Sequence, residues 1–416
     1  MGNVIVVGAG PAGMMAAIKA AENGATVLVL EKMKQPGKKM LITGKGRCNI
    51  TNSAEIPELI KNIPGNGKFL NSCIRAFDND DVQYFFNSLE VATKVERGGR
   101  VFPVSDKAAD AVNAMVLRMY ELGIKLLTEV RVSEILVDNN RAVGVRTSDG
   151  KLYKGDAVIV TTGGASYPGT GSTGDGYEMA RKIGHEVEPL LPSLVPLELE
   201  EDWVKELQGL SLRNVRVYLM AEEKAVADMF GEMLFTHFGV SGPVILSLSR
   251  PAARLLAEGN FVELMIDLKP ALSFDQLDAR IVRDFEKYQR KEMKNALKDL
   301  LPGRLIAPVL DGAYIEPDRL VNSITREERH RLAKVLKGLI VTVTKTRPIA
   351  EAIVTAGGIS VKEVNPKTME SKLVKNLYFA GEVLDVDGFT GGFNLQAAFS
   401  MGAAAGNWSV WNEQED

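Results

Sequence analysis

The 416-residue chain carries 50 lysines and arginines against 53 aspartates and glutamates, a formal net charge of −3, and is 45% apolar. That length allows two or three domains with ordinary hydrophobic cores. The charge balance weighs against a dedicated nucleic-acid binder, which needs a dominant basic face. Cys48 and Cys73 are the two cysteines and form neither a CxxC nor a metal-type cluster, so no disulfide framework, zinc or other metal site is expected and a reducing compartment fits.

Met1 to Ile18 is uncharged but has no basic stretch before its apolar residues, and its glycines are spaced for a nucleotide-binding turn rather than a leader. No uncharged apolar run elsewhere has the length of a membrane span. A cytoplasmic protein without membrane attachment is the expectation.

In chain order, Val4 to Val7 is a β-branched run that predicts a strand, followed directly by Gly8-Ala9-Gly10-Pro11-Ala12-Gly13. Met14 to Asn23 reads as a helix ending at Gly24, and Thr26 to Leu30 as a second strand ending at Glu31. Together they form a β-α-β unit of the kind that builds a buried parallel sheet. A loop follows at Thr43 to Asn49, then amphipathic helices at Phe77 to Glu90 and Lys107 to Leu122. Strand character marks Ile124 to Val130, Val132 to Val137 and Ala142 to Thr147, with a turn at Asp149-Gly150. Ala157 to Thr161 is another buried strand running into Thr162-Gly163-Gly164, and Gly174-Asp175-Gly176 opens a helix through Ile183.

The pattern changes where Pro189, Pro192 and Pro196 crowd together. Val215 to Met220, Met233 to Thr236 and Phe261 to Asp267 read as antiparallel strands. Ser273 to Leu301 reads as strongly helical, with Leu277, Ile281 and Phe285 four residues apart. A further helix at Glu327 to Leu336 precedes the strand Leu339 to Val343, and short buried strands beside glycines return at Ala352 to Ile359 and Leu377 to Ala380. The sequence predicts a discontinuous nucleotide-binding domain (1–190 and 346–416), an inserted β-rich domain (191–270 and 315–345) and a helical subdomain (271–314).

Gly8 permits a tight strand-to-helix turn, Gly10 lets backbone approach a pyrophosphate, and Gly13 allows close helix–sheet packing. Glu31 is placed to accept hydrogen bonds from both hydroxyls of an adenosine ribose, and a 2′-phosphate there would be repelled. The unit alone fits FAD and NAD equally. In the loop Thr43-Gly44-Lys45-Gly46-Arg47-Cys48-Asn49, small residues alternate with cations, which suits a backbone wrapped on phosphate, ribitol or flavin edge; a solvated basic loop has the same composition.

The fingerprint joins TGKGRCNITN (Thr43 to Asn52), TGGASYPGTGSTGDG (Thr162 to Gly176), GEMLFTHFGVSGP (Gly231 to Pro243), TAGGI (Thr355 to Ile359) and GEVLDVDGFTGGFNLQ (Gly381 to Gln396). With these, nearly the whole chain resembles the bacterial flavoproteins of the BaiN-like or aminoacetone-oxidase family. The resemblance implies an α/β fold: a split Rossmann-like FAD-binding domain of glutathione-reductase type, with an inserted β-barrel-like domain and a helical subdomain. It implies FAD contacts at Gly8, Gly10, Gly13, Glu31, Arg47, Cys48, Gly163, Glu382, Asp385, Asn394 and Leu395, and the candidate set also takes in Lys32, Gly44, Val130 and Gly381. Gly163-Gly164 and Ser172 to Gly176 are similar to fumarate-reductase-like flavoproteins as well, without a matched catalytic arginine motif.

The expected function is that of an FAD-dependent oxidoreductase acting on a small organic substrate, with noncovalent FAD. No second strand–GxGxxG–helix–acid unit follows Gly13, so NAD(P)H is expected as a transient donor rather than a resident ligand. A flavin-dependent tRNA-modifying enzyme and a non-catalytic redox sensor are the alternatives; for RNA, Lys287 to Lys298 is the best basic stretch, and it is mixed with acids. His237 and Arg347 each read as a substrate contact or as a structural residue, His185 as helix-end decoration, and His330 as part of a charged helix.

Overall fold

The computed structural model describes residues 2–410; the last six residues assigned by sequence to the nucleotide-binding domain, 411–416, lie outside that description. The chain divides into two compact units, Met1–Leu191 with Ile349–Asp416, and Pro192–Pro348.

The first unit is built on a five-stranded sheet in the spatial order Leu377–Phe379, Ala157–Val160, Asn3–Val7, Thr26–Leu30, Lys125–Leu127. Every neighbouring pair is parallel, so all five strands end on one edge. The three central strands, Ala157–Val160, Asn3–Val7 and Thr26–Leu30, are short, rich in β-branched residues and mostly buried, as a parallel sheet covered on both faces requires. Helix Pro11–Glu22 is capped at its end by Asn23, and Gly24 follows at φ +87°, the left-handed geometry that favours glycine. The last helix, Phe393–Trp408, lies directly on that first helix. A Cβ at Gly402 would fall 2.4 Å from the Ala12 carbonyl oxygen, and one at Gly406 would fall 2.3 Å from that of Ala16. Two glycines four residues apart therefore let the backbones touch, joining the two ends of the chain in one core.

An antiparallel meander (Val132–Asp138, Arg141–Thr147, Leu152–Lys154) and a small sheet (Thr51–Asn52, Arg100–Pro103, Thr93–Glu96) flank this core. The strand expected over Ile124 to Val130 shortens to Lys125–Leu127, and the helix expected from Phe77 begins at Asn79 behind a capping box of Asp78 and Asp81.

The second unit is a closed six-stranded antiparallel barrel, in the order Leu197–Leu199, Gly239–Ser241, Lys224–Phe235, Ser211–Ala221, Val262–Asp267, Leu339–Thr346. Val215, Val217, Leu219 and Ala221 alternate inward along one strand, filling the interior with side chains as small barrels do. The helical run expected from Ser273 to Leu301 breaks after Lys287 and resumes at Met293–Ala296. Leu277 and Ile281 are buried and Phe285 packs against the same core, but Gln289 and Arg290, one turn after Phe285, offer nothing apolar. There the amides of Met293 and Lys294 take the carbonyls of Arg319 and Pro317 at 2.9 and 3.0 Å. A tertiary contact thus outcompetes helix propensity.

Candidate nucleotide site

Because the sheet is parallel, the residues that follow strands Asn3–Val7, Thr26–Leu30, Ala157–Val160 and Leu377–Phe379 gather on its C-terminal edge, where ligands of such sheets bind. These residues are Gly8 to Gly13, Glu31 and Lys32, Gly163, and Gly381 with Glu382. Gly8 turns at φ +102°, and a Cβ at Gly13 would sit 1.9 Å from the Gly8 carbonyl oxygen. Glycine is a steric necessity there. Gly10 differs: a Cβ would meet nothing within 4 Å. It begins the first helix, whose N-terminus has no side-chain cap, leaving first-turn amides and the positive dipole end facing open space.

Glu31 is nearly buried, at 9% exposure. Its Oε2 accepts from the Ala9 amide and its Oε1 from the Met33 amide, both at 2.7 Å. The carboxylate is fixed by backbone, with a lone pair on each oxygen left for a further donor. The Glu31 carbonyl in turn accepts from the Val130 amide at 2.9 Å, which brings Val130 beside it. Lys32 donates to Asp175 at 2.8 Å and to Thr173 at 2.5 Å, and Asp175 also holds Arg131 at 2.8 Å. Burial disfavours ionising Asp175, but the two cations outweigh it and the carboxyl titrates below its ordinary range.

Sequence reasoning named Glu382 and Asp385 but missed the side chains that gather around the first of them. Lys39 Nζ lies 2.6 Å from both Glu382 Oε2 and Ser166 Oγ. Glu382 Oε1 accepts from Ser166 Oγ and from the Thr355 amide, each at 2.9 Å. A Cβ at Gly164 would strike Glu382 Oε1 and Thr355 Oγ1 at 2.6 and 2.5 Å, so the second glycine of the TGG run makes room for this network. Asp385 accepts from the Gly357 amide at 3.0 Å and from Asn66 Nδ2 at 2.8 Å. Burial, reinforced by Glu382 and Asp385, pushes the Tyr177 phenol far above its usual range.

Gly163 and Gly381 take left-handed φ values of 73° and 84°. Gly381 adjoins Ala12, where an added Cβ would come within 2.9 Å of the alanine Cβ. Gly44, Lys45 and Gly46 form a left-handed run at φ 57°, 60° and 84°. Arg47 binds Glu96 and Asp106, each at 2.5 Å, with its guanidinium 4.1 Å over the Phe102 ring. Cys48 is fully buried, and that burial pushes its thiol up to about 12. Asn394 lies in the first turn of the last helix, which starts at Phe393, and its amide binds both backbone groups of Gly388 at 2.8 Å. Leu395 packs on the core.

His185 is a correction. It is buried rather than decorative, with Nδ1 2.9 Å from Glu363, Nε2 2.9 Å from Ser371 Oγ and its ring edge-on to Phe379. Among the described residues no helix is long and apolar enough to cross a membrane.

The fold, with an acid-terminated β-α-β unit and an uncapped helix N-terminus, is of the Rossmann dinucleotide-binding type, and with the chain's family it defines an FAD-binding oxidoreductase. The chain belongs to the family described as HI0933-like protein Rossmann domain, which it matches over residues 2–408. It is 32% identical to the 3-dehydro-bile acid delta(4,6)-reductase of Clostridium scindens, over 98% of each chain. It is 31% identical to the ribosomal RNA dihydrouridine synthase of Escherichia coli, over 96% of this chain and 95% of that one. Two solved structures share the fold: a flavocytochrome c3 fumarate reductase (TM-score 0.52, 17% identity, 98% of this chain and 78% of that one) and the 3-ketosteroid-delta4-(5alpha)-dehydrogenase of Rhodococcus jostii (TM-score 0.52, 15% identity, 99% and 97%).

Proposed function

We propose that the chain is an FAD-dependent reductase that saturates a carbon–carbon double bond conjugated to a carbonyl in a small organic molecule, with NAD(P)H as electron donor. The observation that carries this reading is that two full-length relatives of different substrate class are both named for adding hydrogen across a double bond, one in a bile acid and one in a uridine of RNA. The chemistry common to them is the conservative inference for a chain at 32% and 31% identity to each.

The residues present fit FAD. The space over Gly10 admits a pyrophosphate to the first-turn amides, and Glu31 offers oriented acceptors to ribose hydroxyls beside Lys32 and Val130. We assign Gly163, Gly381, Glu382 and Asp385 to the ribitol side of the site and Gly44, Asn394 and Leu395 to its remaining border; Cys48, fully buried, has no surface to offer it, and Arg47 is turned to Glu96 and Asp106. Bound FAD supplies the two-electron chemistry; the protein supplies orientation, electrostatics and exclusion of water. Lys39 brings a positive charge into a wall that otherwise presents Glu382 and Asp385.

A second reading, reduction of a uracil ring within ribosomal RNA, is favoured by the name of the Escherichia coli relative. Anaerobically reduced holoprotein mixed with a 4-en-3-one steroid or with a uridine-containing rRNA fragment separates the two. Return of the oxidised flavin absorbance with the ketone supports the first reading, and return with the RNA alone supports the second. Flavin that stays reduced with both overturns the proposed chemistry.

A further inference from the structure

The strand order gives the C-terminal edge of the parallel sheet a direction. Thr26–Leu30 runs into Glu31, its neighbour Asn3–Val7 into Gly8, the next strand Ala157–Val160 into Thr161 to Gly164, and the outer strand Leu377–Phe379 into Gly381 and Glu382. Three strand steps of about 4.8 Å separate the two ends of this row, roughly 14 Å in all. A dinucleotide with its ribose at Glu31 and its pyrophosphate at Gly10 is laid toward Glu382, and its adenosine half ends before that point. Whatever gathers around Glu382 meets the other half.

Lys39 is brought there by the turn that receives the pyrophosphate. Gly37, at φ +65°, opens the short helix Lys38–Ile42 and donates its amide to the Ala9 carbonyl at 2.8 Å. The amide of the same Ala9 donates to Glu31. From this anchored helix the Lys39 ammonium reaches Glu382 Oε2 and Ser166 Oγ, both at 2.6 Å. The single proton of Ser166 goes to Glu382 Oε1 at 2.9 Å rather than to the Ile353 carbonyl at 3.4 Å, so its oxygen accepts from Lys39. Glu382 Oε1 also accepts from the Thr355 amide at 2.9 Å and is then full.

Oε2 of Glu382 has taken one donor and can take another, and among the described residues the Lys39 ammonium has used two of its three protons. The unused acceptor and the unused donor thus lie on atoms 2.6 Å apart, in side chains that keep 18% and 21% of their surface open. A hydroxyl group satisfies both at once, donating to the carboxylate and accepting from the ammonium. A ribitol carries hydroxyls between pyrophosphate and flavin ring; the adenosine half has none to offer at this end. We propose that Lys39 and Glu382 together form the ribitol site, and that Lys39 is the residue by which the protein tells FAD from a bare adenine nucleotide. This rests on the assignment of Glu31 and Gly10 to the adenosine half.

The test uses the full-length protein stripped of flavin, with fluorescence titration for FAD and calorimetry for ADP, which carries the adenosine half alone. Lys39→Met loses one charge-assisted hydrogen bond and is expected to weaken FAD binding roughly tenfold, while ADP binds as it does to wild type. Lys39→Arg keeps the cation and should recover at least about threefold of that loss. Glu382→Gln should lose a factor similar to that of Lys39→Met. The double variant should be no more than about twofold weaker than either single, because one hydroxyl bridges both groups. Wild-type FAD affinity in Lys39→Met overturns the assignment, and so does an arginine variant as weak as methionine. Equal weakening of FAD and ADP also overturns it, since the lysine would then support the whole edge. Losses that multiply in the double variant overturn the shared hydroxyl. Wild-type protein that binds FAD but not ADP removes the adenosine half from Glu31 and Gly10 and the proposal with it, whereas normal ADP binding beside a Lys39→Met variant indifferent to FAD overturns the role of Lys39 alone.

Discussion

Replacing Glu31 by glutamine removes a single charge and keeps the shape, yet the geometry predicts a large effect. Both carboxylate oxygens accept from backbone amides at 2.7 Å, Ala9 on one side and Met33 on the other. An amide side chain accepts at its oxygen alone; its NH2 group must face one of those N–H donors. One charge-assisted bond becomes a donor–donor conflict at a residue only 9% exposed, and hydrogen bonds to a charged partner contribute about 1.5–3 kcal/mol. With each 1.4 kcal/mol worth about tenfold, Glu31→Gln should weaken FAD binding roughly ten- to a hundredfold. Part of the loss comes from a distorted Ala9 turn rather than from the ribose contact. The apoprotein should therefore also lose a few degrees of melting temperature, which a pure ligand contact would leave alone. Fluorescence titration of apoprotein with FAD, with circular dichroism melting alongside, measures both. Wild-type affinity in the glutamine variant would refute the assignment of Glu31.

Gly10→Ala and Gly13→Ala should part company. The first puts a methyl into open space and should fold normally while binding FAD roughly tenfold more weakly; the second drives a Cβ to 1.9 Å from the Gly8 carbonyl and should yield little folded protein, so equal yields of the two would contradict the geometry. Burial holds the thiols of Cys48 and Cys73 at about 12, so neither should react with a thiol reagent at pH 8 until the chain is denatured; prompt labelling of folded protein would place one of them outside the core. Burial also lowers the pKa of His185, against the opposing pull of Glu363. The unfolded chain, with histidine near its ordinary value of about 6.5, then takes up a proton that the folded chain refuses. Stability should be full above that value and fall as pH drops through it toward the lowered folded value. Melting temperatures from pH 7.5 to 5.5 should show that slope, and His185→Gln should flatten it.

The β-α-β unit is legible because its parts are consecutive: strand, three glycines, helix, strand and acid follow within Asn3 to Glu31, and local spacing fixes each role. The same edge of the sheet is completed by Leu377–Phe379, three residues whose pairing with Ala157–Val160 spans more than half the chain. The family resemblance and the strand signal place that segment in the nucleotide domain; periodicity over three residues says nothing about a partner. Barrel strands Leu197–Leu199 and Gly239–Ser241 are equally short and escape a sequence reading for the same reason.

Charged side chains are the least legible part, because residue type does not reveal which opposite charge it meets. Arg47 sits in a motif that suits phosphate or flavin, and in the fold it faces Glu96, Asp106 and the Phe102 ring. Lys39 reads as one lysine among several in a linker, and it joins a glutamate 343 positions away. Lys32 answers Asp175. Each of these three cations is thus already paired within the protein. On the proposed reading, an incoming pyrophosphate meets, at Gly10, the uncapped end of a helix rather than one of these side chains, so its charge falls to amides that the fold has already oriented and that need no reorganisation to receive it.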